Sequence, residues 1–237
     1  MAEWVSPPLM IMTRIPLILS LLALLPASAI AQSTWYVPDD FPTIQAGIDG
    51  ATNGDTVIVR SGTYLENINF NGMAITLQSE NGYATTIIDG NQADHVVTFN
   101  NGEGGGSVLA NFTITNGSAG LGAGILCMNT SPVIKDNHIR GNISWTDGGG
   151  IGSSGGNPTI SGNIVENNKA SYGGGLYLRY ASTAKIKNNY INDNEAGQGG
   201  GIYLWGMSAE IEYNSIELNL STDSGGGVYS RDDASFF

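Results

Sequence analysis

The chain holds one cysteine, Cys127, in 237 residues, so no intrachain disulfide and no cysteine-based zinc site can form. Charged residues are also scarce, at 13% against about 25% in an ordinary globular domain. That excludes a long charged coiled coil and a charge-rich disordered chain. Basic residues number 9 against 21 acidic ones, a net charge of −12. The electrostatic footprint of a nucleic-acid or anionic-membrane binder is therefore missing. The two histidines, His95 and His138, stand far apart with no i, i+4 spacing, so the sequence assigns no metal site. The longest apolar run, residues 15–25, is eleven residues long, too short to cross about 30 Å of hydrocarbon as a helix.

That run has the form of a targeting segment. Arg14 precedes it, Pro26 ends it, and Ala29-Ile30-Ala31 follows with the small-x-small pattern that signal peptidase cuts. Residues 1–31 read as a secretory signal and 32–237 as the mature domain, with no membrane-spanning segment in it. The protein is expected to be secreted or held in the cell envelope. In that setting a lone Cys127 reads as a core residue rather than a redox group.

Glycine is abundant, at 34 residues, and it is periodic. Gly-x-Gly-aliphatic blocks end at Ile125, Ile151, Leu176, Ile202 and Val228, spaced by 26, 25, 26 and 26 residues. A second block, aliphatic-x-x-Asn-x-aliphatic-x-x-Asn, keeps the same beat. It runs through Ile134, Asn137, Ile139 and Asn142, then Ile160, Asn163, Val165 and Asn168. Ile186, Asn189, Ile191 and Asn194 follow, then Ile211, Asn214, Ile216 and Asn219. Each unit contains only short alternating apolar stretches broken by turn residues, which predicts strands of three to five residues. One unit cannot bury its apolar face alone and must stack on its neighbours. The pattern predicts an all-β parallel solenoid of about seven coils, with stacked isoleucine columns inside and asparagine ladders at the bends.

The amino-terminal third is less regular. Thr43 is placed as an N-cap for a short amphipathic helix with Ile44, Ile48 and Ala51 on one face, closing the apolar end of the solenoid. Strands are expected at 56–59, 74–77, 86–88 and 96–99, and a loop at 100–107. At the other end Val228 opens a coil without its asparagine block, so the domain is expected to continue beyond Phe237.

The run Asp55-Thr56-Val57-Ile58-Val59-Arg60-Ser61-Gly62-Thr63-Tyr64, followed by Glu66-Asn67-Ile68, resembles the opening coil of pectin-lyase-like right-handed parallel β-helix proteins. The paired Gly-Gly-Gly-Ile and Ile-x-x-Asn blocks are similar to the repeats of polymorphic outer membrane proteins. The resemblance covers residues 35–235 and implies a right-handed β-helix. Its relatives include polysaccharide lyases, esterases, hydrolases and non-catalytic adhesins, so it leaves the activity open. Lyases of the group use Lys or Arg as base and Ca²⁺ held by carboxylates, which makes Ca²⁺ the cofactor the resemblance implies if the chain is a lyase.

Aligning the repeats stacks Lys185 on Glu210, Lys187 on Glu212, Arg140 on Glu166 and Lys169 on Glu195, which reads as surface charge ladders. Lys135 and Asp136, which lack such neighbours, and His95 beside Asp94 remain as catalytic candidates. His138 falls in what reads as a turn column. Of the five Asn-x-Ser/Thr sequons, those at Asn142 and Asn219 coincide with repeat asparagines. A further stripe stands out: Tyr177, Tyr203 and Tyr229 alternate with Arg179, Trp205 and Arg231 on an outward face in the last three coils. Aromatic rings stack on sugars and arginine grips carboxylate or sulfate. The expected partner is an acidic polysaccharide or cell-surface glycan. Two readings follow: an exported, non-catalytic glycan-binding or surface-adhesive protein, or a polysaccharide lyase or hydrolase acting on acidic polysaccharide.

Overall fold

The period of about 26 residues is one turn of a parallel β-solenoid. A computed structural model describes residues 1–3, 31–180, 183–232 and the backbone of 235–236. The chain divides into two units, 1–31 and 32–237. The expected signal segment falls mainly on residues 4–30, outside the described residues.

One coil shows the plan. The chain passes through a first sheet at Val133–Lys135, a second at His138–Arg140, a third at Ile143–Asp147 and a fourth at Ile151–Ser154. It then re-enters the first sheet one layer on, at Thr159–Ser161. The first sheet has nine strands, the second and fourth seven each, and the third five. The solenoid therefore makes about eight turns, one more than the sequence spacing counts. The extra layer comes from Thr34–Val37, which pairs with Thr56–Val59 and carries neither glycine triplet nor asparagine block.

Aliphatic side chains repeat in register and fill the interior. Ile134, Ile160, Ile186 and Ile211 are Cα partners in the first sheet. Ile125, Ile151, Leu176, Ile202 and Val228 are partners in the fourth. The first three of the former column and the first four of the latter have no solvent exposure. At about 25 cal/mol per Å² of apolar area buried, these columns are the main stabilising term.

Two asparagine ladders line the corners either side of the second sheet. Asn137, Asn163 and Asn189 each donate Nδ2 to the next Oδ1, at 3.2, 3.0 and 2.9 Å, ending on Asn214. Asn142, Asn168 and Asn194 do the same at 2.9, 3.0 and 2.9 Å, ending on Asn219. The left-handed conformation at these bends belongs not to the ladder asparagines but to the residue before each one. Asp136, Asn188 and Tyr213 have φ near +55°, as do Asn167, Asp193 and Leu218. The turn residue swings the chain round, and the ladder amide then points inward.

The expected helix forms at Ile44–Gly50, with Thr43 Oγ1 accepting from Ala46 N at 3.1 Å and Ile44 and Ile48 buried. Glu66, from the next coil, accepts Ile44 N and Gln45 N at 2.9 and 3.0 Å and fastens the helix over the open end. Asp55 ties this end together. Its carboxylate accepts from Ser33 N at 2.7 Å, Thr52 N at 2.9 Å and Trp35 Nε1 at 3.1 Å. The predicted strands at 56–59, 86–88 and 96–99 form to within one residue. The one expected at 74–77 is shifted to Thr76–Ser79.

Candidate functional site

The corner between the third and fourth sheets is built by glycine. After Tyr172 the chain turns through Gly173, at φ +64°, and a Cβ there would lie 2.9 Å from the Cβ of Tyr177. Two residues on, a Cβ on Gly175 would meet the Gly201 carbonyl at 2.6 Å. The coils thus approach closely, and the residue after each aliphatic is folded into a crease rather than standing free.

This corrects one expectation. Tyr177 and Tyr203, predicted on an exposed face, are each only 2% exposed. Their rings stack on each other with centroids 5.2 Å apart, and Tyr229 continues the column at 5.1 Å. The stacked faces of Tyr177 and Tyr203 are closed to a sugar, while Tyr229, at the end of the column, is half-buried. Tyr172 meets Tyr203 edge-on at 5.4 Å. Tyr172, Tyr177, Tyr203, Asp147, Trp205 and Arg231 surround a cavity of about 250 Å³. Burial, with the nearby Asp147 adding to it, pushes the Tyr177 hydroxyl up to about 12. Burial likewise raises the carboxyl of Asp147, which Arg179 partly offsets.

The accessible part of the stripe lies just outside this crease. Trp205 and Arg179 are half-buried, Arg231 is exposed, and Tyr180 is 58% exposed. Tyr180 and Trp205 lie 5.7 Å apart. The Arg179 guanidinium sits 5.6 Å from the Tyr180 centroid, and Arg231 sits at the same distance from Trp205. Arg179 Nε donates to Ser154 Oγ at 3.0 Å, and Arg231 Nε lies 3.4 Å from Asp232. Arg179 is also hydrogen-bonded to the Tyr177 hydroxyl and Arg231 to the Tyr203 hydroxyl, which ties the outer groups to the column beneath.

Tyr180, Tyr172 and Asp147 were not among the residues the sequence singled out. Tyr172 and Asp147 hold one column, the residue before each glycine triplet: Leu121, Asp147, Tyr172, Gln198 and Ser224. Aligning on the triplet finds it. Bulges in the third sheet hide it from period-2 reading.

The catalytic candidates do not converge. Lys135 and Asp136 sit at the end of a first-sheet strand, and Asp136, at φ +56°, is the turn residue ahead of a ladder asparagine. His95 Nδ1 lies 3.0 Å from the Gly122 carbonyl and its Nε2 lies 3.6 Å from Asp94, so the ring is a brace between coils. His138 begins a strand rather than occupying a turn, and its Nε2 is 2.9 Å from Glu166.

The four charge registers are as expected, with two changes of partner. His138, not Arg140, takes Glu166. Lys187 reaches Glu210 as well as Glu212, which is 3.2 Å away. Lys169 pairs with Glu195 at 2.7 Å.

Fold and columns together define the class: a parallel β-helix repeat protein whose surface features lie along its coils. A family model described as "Periplasmic copper-binding protein (NosD)" matches residues 48–235, and the chain belongs to that family. The family is one of right-handed β-helix periplasmic proteins, in accord with export to the envelope. No curated protein and no solved structure among those compared matches the chain. No described helix is long and apolar enough to cross a membrane.

The family description implies copper, and the donor atoms decide whether it fits. No group of three or more His, Cys, Asp or Glu able to hold a metal occurs among the described residues. Cys127, the softest donor, is wholly buried between Phe99 and Ser153 in the fourth sheet, and burial pushes its thiol well up. The two histidines belong to different coils and engage a backbone carbonyl and Glu166. These residues do not fit a copper centre. They offer no acidic cluster for Ca²⁺ either.

Proposed function

We propose that this protein is a non-catalytic glycan-binding component of the cell envelope that holds an acidic polysaccharide at the Trp205 corner. The observation that carries the reading is the pairing of two accessible rings, Tyr180 and Trp205, with two guanidiniums, Arg179 and Arg231, on one face. The rings offer stacking area, and the arginines offer charge-assisted hydrogen bonds to carboxylate or sulfate. The stacked column of buried Tyr177 and Tyr203 and half-buried Tyr229 supports this platform from beneath. A rigid solenoid holds these groups in place before binding, so little ordering entropy opposes association.

Titration with polygalacturonate, alginate and a sulfated glycan tests the reading. At least one should bind, and Trp205→Ala should weaken it about tenfold, roughly 1.4 kcal/mol, with an unchanged circular dichroism spectrum. Absence of binding to all three, or full binding by the variant, contradicts it.

A further inference from the structure

The edge of the third sheet nearest the second carries a pattern that the glycan reading does not use. Ile143, Lys169, Glu195 and Leu220 are Cα partners in four successive coils. Their side chains leave the sheet outward, on the side opposite the buried Ser144, Ala170 and Ala196. Ile143 is 55% exposed and Leu220 59%, and between them lies the Lys169–Glu195 ion pair, at 2.7 Å. Along the solenoid axis the column reads apolar, positive, negative, apolar. Turned end for end, such a column complements itself. A two-fold axis between Lys169 and Glu195 sets Ile143 against Leu220 of a second copy, and Lys169 against its Glu195.

The columns on either side fit each other under the same rotation. Towards the second sheet lie the turn residues, with Asn167 and Asp193 both exposed. On the other side the surface is floored by Ser171 and Gly197, so close that a Cβ on Gly197 would meet the Ser171 carbonyl at 2.8 Å. The rotation lays Asp193 of the second copy over Ser171 and its Asn167 over Gly197, where small residues leave room for them. Leu218, 73% exposed, adds apolar surface at one end. Trp145, laid back over Gly120 and 64% exposed, adds it at the other.

We infer that this face joins two copies of the chain, coils antiparallel, in an isologous interface. A lone exposed ion pair contributes little. In the dimer each Lys169 gains a second carboxylate and each Glu195 a second ammonium, closing a ring of alternating charges between apolar contacts that shed water. Large apolar side chains gathered on one strip of surface mark an interaction site. The palindrome selects a second copy as the occupant, because an unrelated partner needs only a complement and not a column that complements itself. The Trp205 corner lies at the far edge of the third sheet and is left uncovered in both copies. The inference therefore stands apart from the glycan reading, and a dimer would present two such corners.

Sedimentation of the whole mature chain from about 1 μM to about 1 mM, a span that covers weak specific association, should show monomer passing to dimer. Lys169→Glu and Glu195→Lys each set like charges against one another across the axis, and each alone should stay monomeric with an unchanged circular dichroism spectrum. Mixed in equal amounts the two should dimerise again, since each supplies the charge the other lacks. Ile143→Cys and Leu220→Cys give a second reading, because the native Cys127 is buried. Facing positions lie about 10 Å apart across packed sheets, whereas identical positions are three coil steps further along, about 17 Å apart. A bismaleimide of about 10 Å reach should therefore link the mixed cysteine variants and neither one alone. The inference is overturned if the unaltered chain stays monomeric throughout, if the mixed charge variants fail to dimerise or either does so alone, or if one cysteine variant links to itself as readily as to the other.

Discussion

Asn189 accepts two hydrogen bonds on Oδ1, from Asn163 N and Asn163 Nδ2 at 2.9 and 3.0 Å, and donates two from Nδ2, to Ile160 O and Asn214 Oδ1, both at 2.9 Å. It is 2% exposed, so no water replaces a lost partner. Each buried group left unpaired costs about 1–3 kcal/mol. Asn189→Ala removes all four bonds. Asn163 Nδ2 keeps Ile134 O and Asn214 Oδ1 keeps Asn189 N, but Asn163 N loses its acceptor. Stability should therefore fall by about 1–3 kcal/mol. Denaturant unfolding reads this directly, and a loss below about 1 kcal/mol would contradict the ladder. The turn residues ahead of the second ladder make a different forecast. Asn116, Gly141, Asn167, Asp193 and Leu218 all have positive φ, and leucine suits that region worst. A left-handed residue with a Cβ costs about 1–2 kcal/mol, a cost asparagine partly escapes. Leu218, 73% exposed at φ +56°, gains nothing from burial in return. Leu218→Asn should raise stability by about 1 kcal/mol; a destabilised variant would show that its side chain packs on something essential. The sequence marked both ladders by spacing alone. It misplaced the turn by one residue because pairs such as Asn167-Asn168 and Asn188-Asn189 put asparagine at both positions.

Strands, caps and corners separate what the pattern announces from what it hides. Columns inside the solenoid repeat at every turn, so the core and charge registers were legible in the spacing of the residues. The tyrosine stripe was legible as a column, but its burial was not. Alternation tells which side of a strand a residue leaves from, not how tightly a glycine corner folds over it. The amino-terminal cap is likewise a local device. Hydrogen bonds from Thr52 N and Ser33 N, with further help from Trp35, hold the Asp55 carboxyl at about 2, below its ordinary 3.8. A depressed folded value means stability that is complete above about pH 4 and is lost as pH falls toward 2. Asp55→Asn should be less stable at neutral pH, and the gap to the unaltered protein should narrow between about pH 4 and 2. Urea midpoints at pH 7 and pH 3 measure this. An equal gap at both would assign the loss to packing instead.

A solenoid in which each coil touches only its neighbours is a stiff ruler, and its function lies in what the coils display. Membership of a periplasmic family accords with the export expected from the sequence of residues 1–31, while the described residues assemble neither a copper centre nor a converging set of acid and base. What they do assemble is an aromatic and arginine corner, and the proposal is that it binds without transforming. The most direct test follows the Trp205 indole N–H resonance during titration with the acidic glycan that binds best, while ultraviolet absorbance of the same sample monitors unsaturated uronates and a reducing-end assay monitors hydrolysis. A saturable shift of the Trp205 signal, with no product of either kind, is expected. Turnover, or saturable binding that leaves the Trp205 resonance unmoved, would contradict it.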